Sequence, residues 1–417
     1  MRLRQRIRDV VGWAIWPVAK PRNIHLLRFV PSLPRRRYAP PQWPTDPPVP
    51  PEGLRGTAGI QRIPELEDLA FGEQPVGNWG AIHAKGVDYL YRHGWEFMVP
   101  VAPRFQRAMH RARKTREVRP EPPAAQRSPQ ELAELIRAEG LRLGLSAVGF
   151  APYDRRYTFA PAVGKHDEGT VIVCAVEQEW KPTQEAPALV AERAAFEAYT
   201  NLISRADKLA RFVHGLGYRA FAQGQGGDVL IIHYGVEAGL GQLGLNGQLL
   251  TAQSGSRSRL SVITTNAEIA RDHPVDLGIE KVCDECQACV RRCPVGAIRN
   301  RRTEHRGVVK AKIKMDRCFP TMVQSYGCAV CMKVCPVQRY GLPAVHEHYA
   351  KTGEILGKGT DELEGFSWPV DDQHYGPTEK PRLDSKTWLN PPGLIFDASH
   401  EAAPAVSAEQ RAAQLNF

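Results

Sequence analysis

Apolar and polar positions follow a regular pattern only from Ser128 onward. Ser128-Pro-Gln-Glu131 has the form of a capping box with proline at the first helical position, which predicts the start of a helix. The apolar positions that follow have helical spacing, and we expect them to share one buried face. They are Leu132, Leu135, Ile136 and Leu141.

Helices and strands alternate along the chain from residue 128 to about residue 270. This alternation favours an α/β (α+β) core in which helices cover a sheet. Cys174 lies in an apolar run typical of a buried strand, so we expect it to be a packed, inert thiol. The predicted strands cover 147–150, 170–176, 219–223 and 260–265, and the predicted helices cover 190–216 and a segment from Asp228, as its cap, to Ala238.

The N-terminal third differs from the remainder in charge and composition. Residues 1–127 contain 22 Lys/Arg and 11 Asp/Glu, so the net charge of +10 belongs to this third. Nine prolines within 31–51 indicate an extended arm. Residues 1–30 are either a basic amphipathic helix that contacts an anionic membrane surface or a plain basic extension. The basic run 104–119 contains a single Phe, Tyr or Trp, so we expect a solvated helix face and no nucleic-acid partner.

Eight of the nine cysteines fall into two runs, each closed by Cys-Pro. The first run has the spacing C-x2-C-x2-C-x3-C-P, which is the spacing of bacterial ferredoxins. Three thiolates on such a tight loop reach three corners of one iron–sulfur cluster, and the fourth points to the neighbouring cluster. The second run keeps this spacing in its last three cysteines, while its first cysteine lies on a longer loop. The first run is Cys283, Cys286, Cys289 and Cys293, and the second is Cys318, Cys328, Cys331 and Cys335.

This pattern predicts two [4Fe–4S] clusters with crossed ligands. Zinc also binds paired C-x2-C motifs, but it normally takes four ligands from isolated pairs, and the interlocked runs favour clusters. A ferredoxin alone needs only about 60–80 residues, so the rest of the chain indicates an enzyme. Crossed ligation assigns Cys283, Cys286, Cys289 and Cys335 to one cluster, and Cys293, Cys318, Cys328 and Cys331 to the other.

A glycine-rich segment precedes the cysteine runs. Gly239, Gly241 and Gly244 match G-x-G-x-x-G, but a nucleotide site needs a strand before the motif and a helix after it. A predicted helix precedes it instead. The repeated glycines therefore indicate a backbone that closely approaches a neighbour or a cofactor.

The segment 237–247, followed by Leu250-Thr-Ala-Gln-Ser-Gly255 and 260–265, resembles the reductive dehalogenases and the related epoxyqueuosine reductases. The resemblance covers about 132–336 and includes the cysteine runs. It implies a nitroreductase-like core that binds cobalamin beside the nearer cluster. It also implies electron transfer from a low-potential donor, such as a ferredoxin or a flavodoxin, through both clusters to cobalamin and a small organic substrate, which is halogenated in the dehalogenase case.

The resemblance also implies roles for individual residues. Tyr199, near the head of the long helix, matches the proton-donating tyrosine of the dehalogenases, and a phenol is protonated at neutral pH. Leu245 stands where those enzymes carry Lys or Arg, which is a departure from the family pattern. The residues expected near the cofactor, besides the three glycines, are His233, Tyr234, Asn246, Ser254 and Arg257.

The sequence therefore predicts an iron–sulfur, corrinoid-dependent oxidoreductase. Two alternatives stay open: a non-catalytic electron-transfer or corrinoid-handling protein, and an epoxyqueuosine reductase-like enzyme that modifies tRNA. No secretion signal is convincing, so we expect a cytoplasmic protein, and a peripheral contact with the inner face of the membrane stays open. The expected parts are a basic, Pro-rich extension (1–127), a corrinoid-binding and substrate-binding core (128–275), a ferredoxin-type module (276–340) and an irregular C-terminal wrap (341–417).

Overall fold

The computed structural model shows a mixed helix and sheet protein. It describes residues 60–62, 95–122, 126–154, 157–158, 164–166, 169–224, 228–305, 308–311, 313–314, 317–318, 321–322 and 325–381. The helices are α1 (Trp95–Lys114), α2 (Pro129–Arg142), α3 (Trp180–Gln184), α4 (Leu189–Gly215), α5 (Ile231–Glu237), α6 (Ile279–Cys286), α7 (Ala288–Arg292), α8 (Val330–Lys333), α9 (Pro336–Tyr340), α10 (Leu342–Thr352) and α11 (Asp361–Glu364). The strands are β1 (Ile60–Arg62), β2 (Ala147–Pro152), β3 (Thr170–Glu177), β4 (Ala220–Gln223), β5 (Gln242–Leu243), β6 (Leu249–Leu250), β7 (Ser258–Thr265), β8 (Thr303–His305), β9 (Val308–Lys310), β10 (Phe366–Trp368) and β11 (Gln373–Tyr375).

A four-stranded sheet with the order β2-β3-β7-β4 forms the centre of the core. All three pairings in it are antiparallel, including the eight-residue register of β3 with β7. Helices α1, α2 and α4 cover one face, and α5 covers the other, which explains why β3 is buried along almost its entire length. Cys174 lies in this strand, and burial raises the pKa of its thiol to about 12, so the expectation of a packed thiol is confirmed.

Helix α2 begins as the sequence predicts. The Ser128 hydroxyl accepts the backbone N–H of Glu131, and the Glu131 carboxylate accepts the backbone N–H of Ser128. The predicted apolar face is only half right, because Leu135 and Leu141 are exposed. The buried face is instead Leu132, Ala133, Ile136 and Gly140, where small residues allow the helix to lie close to the sheet.

Helix α5 starts later than predicted. Its N-cap is Leu230, and its first helical residue is Ile231. Asp228 is not the cap, because its carboxylate pairs with the imidazole of His166 at 3.1 Å. That hydrogen bond lowers the pKa of the Asp228 carboxyl. Asp228 therefore joins the loop that contains His166 to the end of β4, because its backbone N–H donates to the side chain of Gln223.

Part of the predicted N-terminal extension packs on the core. Val101 and Ala102 of α1 are buried, and Phe105 stacks edge to face on Phe196 of α4, with ring centroids 5.4 Å apart. The Thr115 hydroxyl, just after α1, also accepts the backbone N–H of Ala222 in β4. The core thus extends N-terminally of residue 128, where the sequence pattern predicted its start. Residues 1–30 and the prolines within 31–51 lie outside the described residues.

The segment that follows the cysteine module is more regular than predicted. Residues 342–352 form α10, and the hairpin β10–β11 buries Phe366 and Trp368. None of the helices that the structure describes is long and apolar enough to cross a membrane.

Candidate redox centre

The eight cysteines of the two runs lie in two groups of four. Burial raises the pKa of Cys289, and its thiolate neighbours Cys283 and Cys335 raise it further. Burial likewise raises the pKa of Cys328 to about 12, with further contributions from Cys318 and Cys293. These neighbours make one group of Cys283, Cys286, Cys289 and Cys335, and another of Cys293, Cys318, Cys328 and Cys331.

The two cysteine runs use the same turn to bring their thiols together. Gln287 and Ala329 occupy equivalent positions, one residue after the second cysteine of each run, and both have a left-handed backbone, with φ of 56°. The turn aims a backbone N–H at the preceding sulfur, from Ala288 to Cys286 and from Val330 to Cys328. Such N–H groups stabilise thiolates and, in iron–sulfur proteins, tune the reduction potential.

A cavity with an empty volume of about 330 Å³, including its mouth, lies beside the first group. Cys283, Cys286, Cys289 and Cys335 line it, and Leu245, Asn246 and Leu250 from the β5–β6 hairpin close one side. The four thiols around one cavity fit an iron–sulfur cluster. Among the described residues, no three His, Cys, Asp or Glu side chains could hold a single metal ion.

The glycine-rich segment forms a close contact between backbones. It runs from the end of α5 through strand β5, with a helix before it and strand β6 after it, so the nucleotide-binding interpretation is excluded by the elements that flank it. A side chain at Gly241 would overlap the carbonyl of Leu250, and one at Gly239, where φ is 68°, would overlap the carbonyl of His273. Gly244 faces the Leu250 side chain. The glycines allow the hairpin to reach the cysteines, and the backbone of Leu245 hydrogen bonds to Cys283.

The α/β core meets the cysteine module along a polar seam, defined here by Trp180, Gln184 and the 252–259 segment on one side and 332–342 on the other. Gln184 donates to Gln338, the Trp180 indole donates to the Arg339 carbonyl, and Leu342 donates to Ala252. A cofactor between the two parts would be held by residues of this seam.

Tyr199 and Arg259 lie together on the core side of the seam. The Arg259 guanidinium lies over the Tyr199 ring, 5.3 Å from its centroid. The same guanidinium hydrogen bonds to the Gln178 side chain and contacts the Met332 sulfur at 3.6 Å. Met332 follows Cys331 directly. The structure therefore places a positive charge from strand β7 beside Tyr199.

A carboxyl group completes this cluster. Burial raises the pKa of Glu192 to about 7, and Arg259 opposes this shift. The Glu192 carboxylate also contacts Gly327, where φ is 83° and any side chain would overlap it. Since Gly327 precedes Cys328, this carboxyl lies between the Tyr199 cluster and the second cysteine run.

The remaining predicted cofactor residues are distributed over three places. Asn246 lines the cavity, while its side chain accepts the backbone N–H of Gln248. Ser254 lies at the seam, hydrogen bonded to Thr251, and Arg257 donates to the Gln178 carbonyl. All three side chains are buried.

His233 and Tyr234 lie elsewhere, on α5. His233 interacts with the Lys310 ammonium at 3.3 Å, and its ring packs on Tyr157. The Tyr234 hydroxyl hydrogen bonds to both backbone groups of Asp154, and burial raises its pKa well above the ordinary value. Neither residue lines the cavity beside the cysteines.

A profile of the 4Fe–4S dicluster domain matches residues 282–339, which include all eight cysteines of the two runs. The chain therefore contains an iron–sulfur module, as its spacing predicts.

The chain is also similar to two groups of oxidoreductases. It is 27% identical over 217 residues to tetrachloroethene reductive dehalogenase of Dehalobacter restrictus, which covers 41% of this chain and 39% of that protein. It is 30% identical over 175 residues to the enzyme of the same name from Sulfurospirillum multivorans, covering 40% and 35%. Epoxyqueuosine reductase of Salmonella typhimurium is 26% identical over 285 residues, covering 57% and 72%. The chain spans only about four-tenths of the dehalogenases it matches.

Solved reductive dehalogenases share the fold. The catabolic reductive dehalogenase NpRdhA superposes with a TM-score of 0.61 at 21% identity, covering 87% of this chain and 60% of that one. A second, described as suggesting a mechanism for B12-dependent dehalogenation, gives 0.57 at 22% identity, covering 87% and 58%. The predicted resemblance to reductive dehalogenases is thus confirmed. The expectation that nucleic acid is no partner has no support, because the relatives include an epoxyqueuosine reductase.

Proposed function

We propose that the protein is a corrinoid-dependent iron–sulfur oxidoreductase that cleaves a small organic substrate reductively, as the dehalogenases among its relatives do. The observation that carries the proposal is the pairing of Tyr199 with Arg259 at the seam with the dicluster domain. A phenol beside a half-buried cation is suited to donate a proton where negative charge develops. The core is then the nitroreductase-like cobalamin-binding domain that the sequence resemblance implies.

Two [4Fe–4S] clusters with crossed ligands fit the two groups of thiols. Cys335 of the second run joins the first group, and Cys293 of the first run joins the second. The Cys289 and Cys335 thiols both neighbour Cys331 of the other group, so the clusters would be adjacent. Short separation permits rapid electron transfer from one cluster to the next, and a low-potential protein donor would supply the electrons.

A corrinoid fits the seam because several buried hydrogen-bonding groups there have no partner among the described residues. They are the Ser256 hydroxyl, the Nε groups of Arg257 and Arg259, and the Gln338 amide nitrogen. Burying such groups without partners is costly, and a ligand rich in amide and phosphate oxygens would satisfy them. When bound, the corrinoid would supply a strongly reducing metal centre beside the substrate.

The chain's own residues would handle the proton and the leaving anion. Reductive cleavage of a carbon–halogen bond consumes two electrons and one proton, and it releases a halide. Tyr199 would hold that proton at its hydroxyl, and Arg259 would stabilise the phenolate that remains. Glu192, whose pKa burial raises to about 7, would then return a proton to the site.

The first test is anaerobic reconstitution with iron, sulfide and hydroxocobalamin, followed by desalting and metal analysis. We expect about eight iron atoms and about one cobalt per chain. Eight iron without retained cobalt would refute the corrinoid assignment and favour the electron-transfer alternative.

The second test uses variants of the loaded protein in a screen of halogenated substrates. Tyr199→Phe should lower turnover by about 10²–10⁴-fold, the usual effect of losing a general acid. The matched control is Tyr218→Phe, since Tyr218 packs against the same core cluster away from the seam. Unchanged turnover in Tyr199→Phe, or an equal loss in the control, would remove Tyr199 from the mechanism.

A further inference from the structure

Positive charge is concentrated between the two cysteine runs. Residues 291–317 contain ten Lys/Arg and only two Asp/Glu, whereas the rest of 128–417 contains 23 Lys/Arg and 32 Asp/Glu. The charge of this stretch is thus opposite in sign to that of its surroundings. A local excess of one sign steers an oppositely charged partner to that place.

Several of these cations are already engaged inside the protein. Arg292 is buried in a cage of carbonyl groups, Lys310 interacts with His233, and Arg302 pairs with Glu280 and Asp284. Arg291 pairs with the buried carboxylate of Glu364. These four cations stabilise the fold. The other cations of residues 291–317 need a separate explanation.

Three other cations, here called the basic turn, are Arg299, Lys314 and Arg317. Arg299 and Lys314 each follow one member of the antiparallel bridge between Ile298 and Ile313, so they lie on the two sides of that bridge, diagonally across the paired segments. Arg317 is on the turn that starts at Lys314. Arg299 and Arg317 are exposed, Lys314 is half-buried, and none pairs with an acidic side chain in the described parts of the chain.

The basic turn covers the second group of cysteines. The bridge residue Ile298 is buried against Cys293, and its partner Ile313 packs on the same cluster together with Cys318. Arg317 is adjacent to Cys318 in the chain. The three cations therefore adjoin the apolar cluster that contains Cys293 and Cys318.

We propose that the basic turn is the docking surface for an acidic, low-potential electron-carrier protein, and that electrons enter at the second group of cysteines. This inference rests on the proposed function, because it requires clusters on those thiols. One electron passes from the reduced carrier to the oxidised cluster, so the carrier is oxidised by one electron and the cluster is reduced by one. Complementary charge mainly raises the association rate, and that gain falls as salt screens it.

The test is the rate of cluster reduction by a reduced, acidic flavodoxin, followed anaerobically by the visible absorbance of the clusters. The variant is Arg299→Gln/Lys314→Gln/Arg317→Gln, which removes three charges from the surface. At low salt we expect its rate to fall by about 10-fold or more, with a weaker salt dependence. The matched control, Arg104→Gln/Arg107→Gln/Arg111→Gln on exposed positions of α1, should react as the wild type does.

Two further measurements separate the possible failures. Reduction by reduced methyl viologen should be unchanged in the variant, and iron should stay at about eight per chain. Neither measurement needs corrinoid or substrate, so a failure of the dehalogenation screen leaves this inference intact, whereas absent iron refutes the proposed function itself. A wild-type rate with flavodoxin in the variant would overturn the docking surface. Loss of tRNA stem-loop binding with an unchanged flavodoxin rate would also overturn it and assign the turn to nucleic acid.

Discussion

The Arg292 side chain joins the segment 364–379 to the iron–sulfur module. Arg292 immediately precedes Cys293 and is 1% exposed. Its guanidinium lies 4.7 Å from the centroid of the Phe366 ring. It also donates hydrogen bonds to four carbonyl groups of that segment, which belong to Glu364, Tyr375, Pro377 and Glu379. We predict that Arg292→Met releases the β10–β11 hairpin while the core stays folded.

The size of the effect follows from these contacts. A hydrogen bond to a charged group contributes about 1.5–3 kcal/mol, but four bonds to one guanidinium do not add. Removing one partner of a buried charged network typically costs about 3–5 kcal/mol, because the partners left behind stay buried. Each ~1.4 kcal/mol changes an equilibrium tenfold, so local opening should become more frequent by roughly a hundred- to four-thousand-fold. Arg292→Lys keeps the charge and part of the bonding, and its effect should be intermediate.

Amide hydrogen exchange of 366–376, measured by mass spectrometry on the cluster-loaded protein, reports this opening directly. The control is Lys351→Met, because Lys351 is exposed in the neighbouring α10 and makes only a surface ion pair with Glu347. That pair contributes at most about 1 kcal/mol. The prediction is wrong if amide exchange in Arg292→Met rises less than about threefold while iron is retained. In that case the hydrogen bonds from Arg292 do not hold residues 366–376 in place.

Three further predictions concern single side chains. Cys293→Ala should leave about four iron atoms per chain and spare the first cluster, and selective loss of the first cluster in its spectrum would refute crossed ligation. Burial raises the pKa of the Glu192 carboxyl to about 7, so the free energy of unfolding of the wild type should fall as pH rises from about 4.5 through 7. Glu192→Gln lacks this carboxyl, so the melting temperature of the variant should not show this fall. Ser128→Ala should destabilise the protein by about 1 kcal/mol in a urea titration, and an unchanged midpoint would show that the capping box does not stabilise α2.

The secondary structure of the core was predictable because its signals are local. The capping box at Ser128 and the apolar run of β3 depend on neighbouring residues alone, and both appear where the sequence places them. The exposure of Leu135 was not predictable, since it depends on which side of α2 meets the sheet. Asp228 shows the same limit: its cap role fails because His166, 62 residues away in sequence, binds its carboxylate.

The cysteine groups were predictable for a related reason, since the spacing of each run determines which thiols a tight turn can bring together. The Tyr199 environment was not. Its cation comes from Arg259, which the sequence places 60 positions away on an ordinary apolar strand, and no motif marks it. The one usable signal was that an arginine directly precedes the predicted strand 260–265, where a partly buried charge needs a partner.

The position of Arg259 connects the two halves of the proposed mechanism. A cation on the β5–β6 hairpin would depend on the hairpin alone, whereas Arg259 is held between Tyr199 on α4, Gln178 after β3 and Met332 in the second cysteine run. Because Met332 is adjacent to Cys331, the geometry around Tyr199 depends on the folding of the iron–sulfur module. In the proposed mechanism, the proton donor would therefore be in position only when the module that carries the electrons is folded.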